Sequence, residues 1–268
     1  MPVGATVPPV ALTIAGSDSS GGAGIQADLK TFHALGVYGT SAITALTAQN
    51  TRGVRGIFAV DPAFVAEQID AVVEDIPPDA VKTGMLANAA IVERVAGAFD
   101  RHGWTAFVVD PVMVATTGAL LLEEEAVAAV RETLVPRATI VTPNGPEAST
   151  LLGRPVETPV DQESAARAIV EELGAAAALV KGGDLEGAEV VDVFYDGTEW
   201  RRFSDRRIET TSTHGSGCAL ASAIAAYLAR GEPLAEAVAR ARAWVRRGIE
   251  IAPRLGRGRG PLDLFPRG

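Results

Sequence analysis

Thr213-His214-Gly215-Ser216-Gly217-Cys218-Ala219 is the segment with the densest chemical potential in the chain. Its small residues run straight into an Ala-rich stretch whose spacing predicts a helix from just after Gly217 to about Ala229. Free N–H groups at such a helix start favour an anion, and the helix dipole adds to the effect. Gly215, Ser216 and Gly217 are therefore candidates for an anion hole. Cys218, the sole cysteine, falls in the first turn. A thiol there is expected to have its pKa lowered toward the thiolate, which can take a proton from a substrate hydroxyl. The same residue would also serve as a small packing group at a helix start.

Three further clusters carry polar chemistry. Thr142-Pro143-Asn144 followed by Glu147 places an amide and a carboxylate at a strand end and the turn after it, and Asp110 ends a neighbouring strand. Such oxygen ligands suit Mg²⁺ carried with a nucleotide and held partly through water. Asn144 alone would equally suit a helix cap. Lys181-Gly182-Gly183 sets a cation in a flexible turn, apt for polyphosphate or simply solvated. Lys181 is one of only three lysines, with Lys30 and Lys82, among 24 lysines and arginines. In so arginine-biased a chain, a retained lysine suggests a use for a compact ammonium.

Gly22-Ala23-Gly24-Ile25-Gln26-Ala27 imitates a dinucleotide fingerprint. That fingerprint needs an acid for the ribose at the end of the next strand. No Asp or Glu lies between Asp28 and Asp61, and the next strand ends in Gln49-Asn50. The glycines then read as a tight strand-to-helix turn or a pocket wall of exposed backbone. There is no Walker A sequence and no zinc-ligand spacing, and His33 and His102 read as structural.

These clusters need a scaffold that gathers strand ends. Apolar runs at residues 10–15, 39–47, 56–60, 80–82, 106–109, 139–141 and 176–180 predict strands. Helical patterns occupy 24–35, 62–74, 91–99, 127–134, 164–173 and 234–251, and residues 190–195 and 200–203 around Asp196-Gly197 predict a hairpin. Alternating strands and helices call for an α/β fold of three layers, with helices on both faces of a central, mostly parallel sheet. Ligands in such folds bind beyond the carboxyl ends of the strands, where the polar clusters fall. No linker or composition break divides the 268 residues, so one domain, 1–268, is expected.

Composition narrows the functions. With 47% hydrophobic and 21% charged residues the chain is not a disordered tail, and one cysteine excludes a disulfide scaffold. A net charge of −9 speaks against nucleic acid, since the one dense arginine cluster, from Arg240 to Arg259, is interleaved with Ala, Gly and a helical apolar pattern. No apolar run approaches a membrane span, and residues 1–10 lack the basic region of a signal peptide, so a cytoplasmic protein is expected.

Nearly the whole chain resembles the ribokinase-like superfamily, and within it the bacterial hydroxymethylpyrimidine/phosphomethylpyrimidine kinases. The resemblance rests on residues 11–18, 20–32 and 44–51, Lys82-Thr83-Gly84-Met85-Leu86, Asp110-Pro111-Val112-Met113, Lys181-Gly182-Gly183 and residues 214–218. Ser19, Gly145, Ser216 and Asp184 depart from the usual Pro, Leu, Thr and His. Ser216 keeps the hydroxyl, whereas Gly145 loosens the turn that carries Glu147.

The resemblance implies a ribokinase-like fold and ATP-dependent phosphorylation of 4-amino-5-hydroxymethyl-2-methylpyrimidine, then of its monophosphate. It implies substrate contacts from Gln49, Met85, Val112, Gly16, Asp28 and the backbone at Ala23. Cys218 would lie by the attacking hydroxyl, with Gly215, Ser216 and Gly217 as the anion hole. Lys181, Asn144 and Asp110 would serve the nucleotide and Glu147 the Mg²⁺. A homodimer is implied as well. The alternatives are a pyridoxine/pyridoxal kinase of the same subfamily, or a binding protein that kept the pocket and lost the chemistry.

Overall fold

The computed structural model describes residues 7–113 and 124–265. The N-terminal residues 1–6, on which part of the signal-peptide reading rests, lie outside the described residues.

Strand β1 (Val10–Asp18) leads into helix α1 (Gly24–Ala34), then β2 (Tyr38–Asn50), β3 (Gly53–Ala59), α2 (Pro62–Asp75), β4 (Ala80–Thr83), α3 (Ala89–His102) and β5 (Phe107–Val109). After α4 (Glu124–Ala129) come β6 (Ile140–Val141), α5 (Gly145–Leu152), α6 (Pro159–Glu171), β7 (Ala178–Val180), the hairpin β8 (Glu189–Tyr195) and β9 (Trp200–Arg206), α7 (Ser216–Ala229) and α8 (Leu234–Glu250). The described strands form one nine-stranded sheet in the order β3-β2-β1-β4-β5-β6-β7-β8-β9. Strands β2 to β7 in that order are parallel, and β3, β8 and β9 are antiparallel additions at the two edges.

Alternate strand residues feed two cores because successive side chains leave a strand on opposite faces. Leu12, Val81, Val109, Val141 and Val180 pack with α2, α3, α4, α5 and α6. Their neighbours Ala11, Ala80, Val108, Ile140 and Leu179 pack with α1, α7 and α8. Both faces are covered, hence the uninterrupted apolar runs of the short central strands.

Three elements depart most from the expectation, the first being α6, which starts at Pro159 rather than 164 because Thr158 and Asp161 form a capping box. The helix expected over 127–134 is α-helical only to Ala129, widens into a π-turn over 130–134 and tightens to a 3₁₀ turn at Val135–Arg137. Pro136 explains the change, since it lacks a donor and its ring opposes the carbonyl four residues back. Helix α5 has no counterpart among the expected helical patterns, although Asn144 also reads as a helix cap and is the cap that starts it. Its eight residues are too few for a clear period, but Asn144 and Glu147 form a reciprocal capping box that starts it.

Chain order along the sheet reverses at β1. The chain moves outward from β1 to β2 and β3, then returns to β4 on the other side. Connections leave β1 and β4 in opposite directions, so a crevice opens beyond their carboxyl ends.

Candidate active site

That crevice is a cavity bounded by Gly16, Ala23, Gln49, Met85, Val112 and Cys218. Two close backbone approaches shape it. Gly24 has φ +55° and an added Cβ would stand 2.3 Å from the Gly16 carbonyl oxygen. Gly215 has φ +78° and a Cβ there would stand 1.9 Å from the Gly22 oxygen. Only glycine allows the α1 turn and the α7 turn to interlock this way.

Asp18, at the end of β1, organises the first turn. Its carboxylate accepts the N–H groups of Ser20 (2.8 Å), Gly22 (3.2 Å) and Ala23 (2.9 Å). The second oxygen also lies 2.8 Å from His214 Nε2, and both residues are buried. Burial pushes the Asp18 pKa up, but the bonds from His214 and Ser20 prevail and hold it at about 2. Gln49 stands beside the pair: its Nε2 is 3.5 Å from His214 Nε2, and its Oε1 accepts from Thr47 Oγ1 at 3.1 Å. Ser19 Oγ donates to the Gln49 carbonyl (2.8 Å) and accepts its N–H (2.9 Å). Proline, usual at this place in the resembling family, could make neither bond.

Behind the cavity lies a fully buried ion pair. Lys82 Nζ is 3.0 Å from Asp28 Oδ2, and Asp28 also accepts the hydroxyls of Thr13 (2.6 Å) and Ser222 (2.6 Å). Asp28, expected at the substrate, does not line the cavity; its oxygens are held by Lys82, Thr13 and Ser222 behind the wall. Lys82 does reach the cavity floor. Burial works against its charge, but Asp28 more than compensates and raises its pKa.

The expectation of an acidic Cys218 is also corrected. The thiol pKa is pushed up to about 11. Burial is the main cause; Lys82 opposes it, Asp28 and Asp110 reinforce it, and a bond from the Gly24 backbone opposes it. A helix start lowers a thiol pKa only where desolvation does not outweigh it.

Further along the strand ends, Lys181 Nζ lies 3.1 Å from Asp110 Oδ1 and 3.7 Å from Glu147 Oε2. The lysine is therefore a largely shielded, ion-paired cation with 13% of its side chain exposed rather than a freely solvated one, its pKa raised by Asp110 and Glu147 against the cost of burial. Burial, with Asp110 nearby, pushes Glu147 up to about 7 against the pull of Lys181. Asn144 Oδ1 caps the Glu147 N–H at 2.8 Å, and Glu147 Oε2 accepts the Asn144 N–H at 2.7 Å. That box fixes the turn despite Gly145. Asp110 Oδ2 is buried and has no partner among the described residues. A Cβ on Gly217 would lie 3.2 Å from Lys181 Nζ and 3.9 Å from that oxygen. The α7 turn thus joins the cavity with Cys218 on one side to the Lys181 cluster on the other.

A cavity for a small ring, a glycine-rich helix start and an ion-paired cation aligned along one row of strand ends suit phosphoryl transfer to a small acceptor. Residues 18–263 match the family model described as phosphomethylpyrimidine kinase. The chain belongs to the phosphomethylpyrimidine kinase family. It is 51% identical over 260 residues to the hydroxymethylpyrimidine/phosphomethylpyrimidine kinase of Rhizobium meliloti, covering 96% of this chain and 97% of that protein. It is 52% identical over 252 residues to the thiamine biosynthesis bifunctional protein of Geobacter sulfurreducens, covering 94% of this chain but only 51% of that longer one. Among solved structures it resembles the ADP complex of Bacillus subtilis pyridoxal kinase, with a TM-score of 0.89, 39% identity and coverage of 96% and 97% of the two chains. These likenesses agree with the ribokinase-like α/β/α fold.

Asp18 and His214 both fall in segments that carry the family resemblance, but nothing in the sequence gives either a role. They lie 196 positions apart, and no local spacing announces their contact. Among the described residues no group of three or more His, Cys, Asp or Glu is arranged to hold a metal, and no helix is long and apolar enough to cross a membrane.

Proposed function

We propose that this protein transfers the terminal phosphate of ATP to 4-amino-5-hydroxymethyl-2-methylpyrimidine and then to its monophosphate, yielding the diphosphate used in thiamine biosynthesis. The observation that carries this reading is the single cavity uniting Gln49, Met85, Val112 and Cys218 beside the α7 helix start. A carboxamide can donate and accept at once, as the amino-pyrimidine edge requires. Met85 and Val112 offer apolar walls to the ring, and Gly16 and Ala23 let backbone approach it.

In this reading Cys218, which lines the cavity, faces the hydroxymethyl group. In its thiolate form, which Lys82 stabilises, it accepts the hydroxyl proton as the oxygen bonds to the terminal phosphorus of ATP, the bond from that phosphorus to the bridging oxygen breaks, and ADP leaves. The N–H groups of Gly215, Gly217 and Cys218 bear the charge on the phosphoryl oxygens, while the Ser216 N–H, expected in the same anion hole, is donated to the Thr213 carbonyl at 3.2 Å; Lys181 neutralises the phosphates behind them. Such transfer depends mainly on positioning and charge stabilisation. The unpartnered buried oxygen of Asp110 beside Glu147 fits Mg²⁺ arriving with the nucleotide. When bound, the ion would supply charge neutralisation at the phosphates, and Asp110 and Glu147 would hold it, partly through water. Asn144 serves the nucleotide end through the cap that sets Glu147.

A single kinase domain in the cytoplasm, working as a homodimer, completes the reading. The edge ribbon supports the dimer: Leu46 and Phe58 pair across β2 and β3 and are 48% and 70% exposed. Side chains of this kind on a sheet edge favour association. Sedimentation of the wild type as a dimer, with Phe58→Glu monomeric, is expected; a monomeric wild type refutes the dimer.

Incubation with Mg-ATP and each acceptor tests the activity. Turnover of the pyrimidine and its monophosphate is expected. Turnover of pyridoxal alone would give the chain the activity named for its Bacillus subtilis neighbour, and tight pyrimidine binding without turnover would make it a binding protein.

A further inference from the structure

We propose that Asp18 and His214 are positioning residues for substrate recognition, holding the Gln49 carboxamide free and aligned for the ring edge. The inference rests on the pyrimidine reading above and goes beyond it, because neither residue needs to touch the ring.

The argument is one of donors and acceptors. An ionised carboxylate only accepts. Asp18 Oδ2 lies 2.8 Å from His214 Nε2, so that nitrogen must carry its proton and donate it to Asp18. A ring nitrogen used as donor has no lone pair in the plane for anything else. Gln49 Nε2, 3.5 Å away, therefore finds no acceptor on the imidazole. Among the described residues no other acceptor takes its N–H groups, which remain for a ring nitrogen in the cavity. With the other tautomer, His214 Nε2 would oppose the carboxylate with a lone pair and draw the Gln49 amide toward itself.

The backbone enforces the same alignment. Asp18 holds the N–H groups of Ser20, Gly22 and Ala23, and the adjacent Ser19 grips the Gln49 backbone in both directions. His214 itself is fixed by its N–H to the Gly260 carbonyl at 3.0 Å. An added Cβ on Gly22 would meet His214 Cδ2 at 2.6 Å, so the ring is wedged against the turn that Asp18 builds.

The test is a double-mutant cycle read by calorimetric binding of the pyrimidine, with KM for Mg-ATP measured alongside. His214→Leu is expected to weaken pyrimidine binding by about tenfold while KM for Mg-ATP stays within about twofold, the usual loss for one well-placed hydrogen bond. His214→Gln returns a donor near the Nε2 position and is expected to recover most of the affinity. Since the pair acts through Gln49, adding His214→Leu to Gln49→Leu should cost little more than Gln49→Leu alone, because residues in one network are not additive. Asp18→Asn, nearly the same shape, gives the same cycle should His214→Leu fail to fold. Fully additive losses, equal damage to Mg-ATP, or unchanged pyrimidine affinity in both His214→Leu and Asp18→Asn would overturn the positioning role while leaving the activity intact. A wild type that neither binds nor phosphorylates the pyrimidine overturns both.

Discussion

Cys218 shows how one side chain answers to opposing fields. Its helix start, Lys82 and the Gly24 N–H favour the thiolate, whereas burial, Asp28 and Asp110 favour the thiol and prevail. With a pKa of about 11, the thiol at pH 8 should react with iodoacetamide roughly a hundredfold more slowly than free cysteine, since only the thiolate attacks. The rate should climb with pH up to that value, and bound pyrimidine should slow it further. Mass spectrometry of the single thiol reads both effects; fast alkylation at pH 8 would contradict the burial argument. A base must be unprotonated, so kcat should also rise with pH through the alkaline range. Cys218→Ser should lower kcat by about 10²–10⁴-fold, the usual worth of general-base assistance, and flatten that rise.

Helix starts and strand ends form the next scale. The starts of α5 and α7 converge on Lys181, which follows β7, while Asp110 follows β5. Lys181→Ala would leave two buried carboxyl groups facing each other without their cation. Removing one partner of a buried ion pair costs about 3–5 kcal/mol, so urea unfolding of this variant should shift by an amount near the lower end. KM for Mg-ATP should rise and kcat should fall, with pyrimidine affinity unchanged, because that ligand sits across the α7 turn. A variant that turns over like the parent would remove Lys181 from the nucleotide end.

Across the molecule, the Asp18–His214 contact ties the first strand to the segment before α7. His214 also bridges to Pro261, so three distant parts of the chain meet at this point. Asp18 is ionised with a folded pKa near 2 against an ordinary 3.8. A depressed acid stabilises the fold fully above its unfolded pKa and loses that contribution as pH falls through the folded one. The window is therefore from about pH 4 down to about pH 2, and the shift corresponds to about 2 kcal/mol. The difference in unfolding free energy between wild type and Asp18→Asn should be constant from pH 7 to 5 and shrink below about pH 4. A gap that stays constant into acid would show that Asp18 contributes by shape alone.

The alternation of apolar runs and helical patterns determined the layers and placed Asp110, Asn144 and Lys181 at strand ends, because side-chain period and buried-strand composition are local properties. The start of α7 was legible for the same reason: glycines before an Ala-rich run declare a turn into a helix without help from the rest of the chain. Helix α5 left a fainter local signal in Asn144 and Glu147, three positions apart as a capping box requires. What only the tertiary structure decided are the quantities that act through space. The direction of the Cys218 shift depends on burial and on charges from β4, β5 and α1. Asp28 was drawn off the cavity wall by Lys82, 54 positions away. The Asp18–His214–Gln49 arrangement arises where two glycine turns interlock, and sequence spacing carries no record of which polar groups a fold will shield from water together.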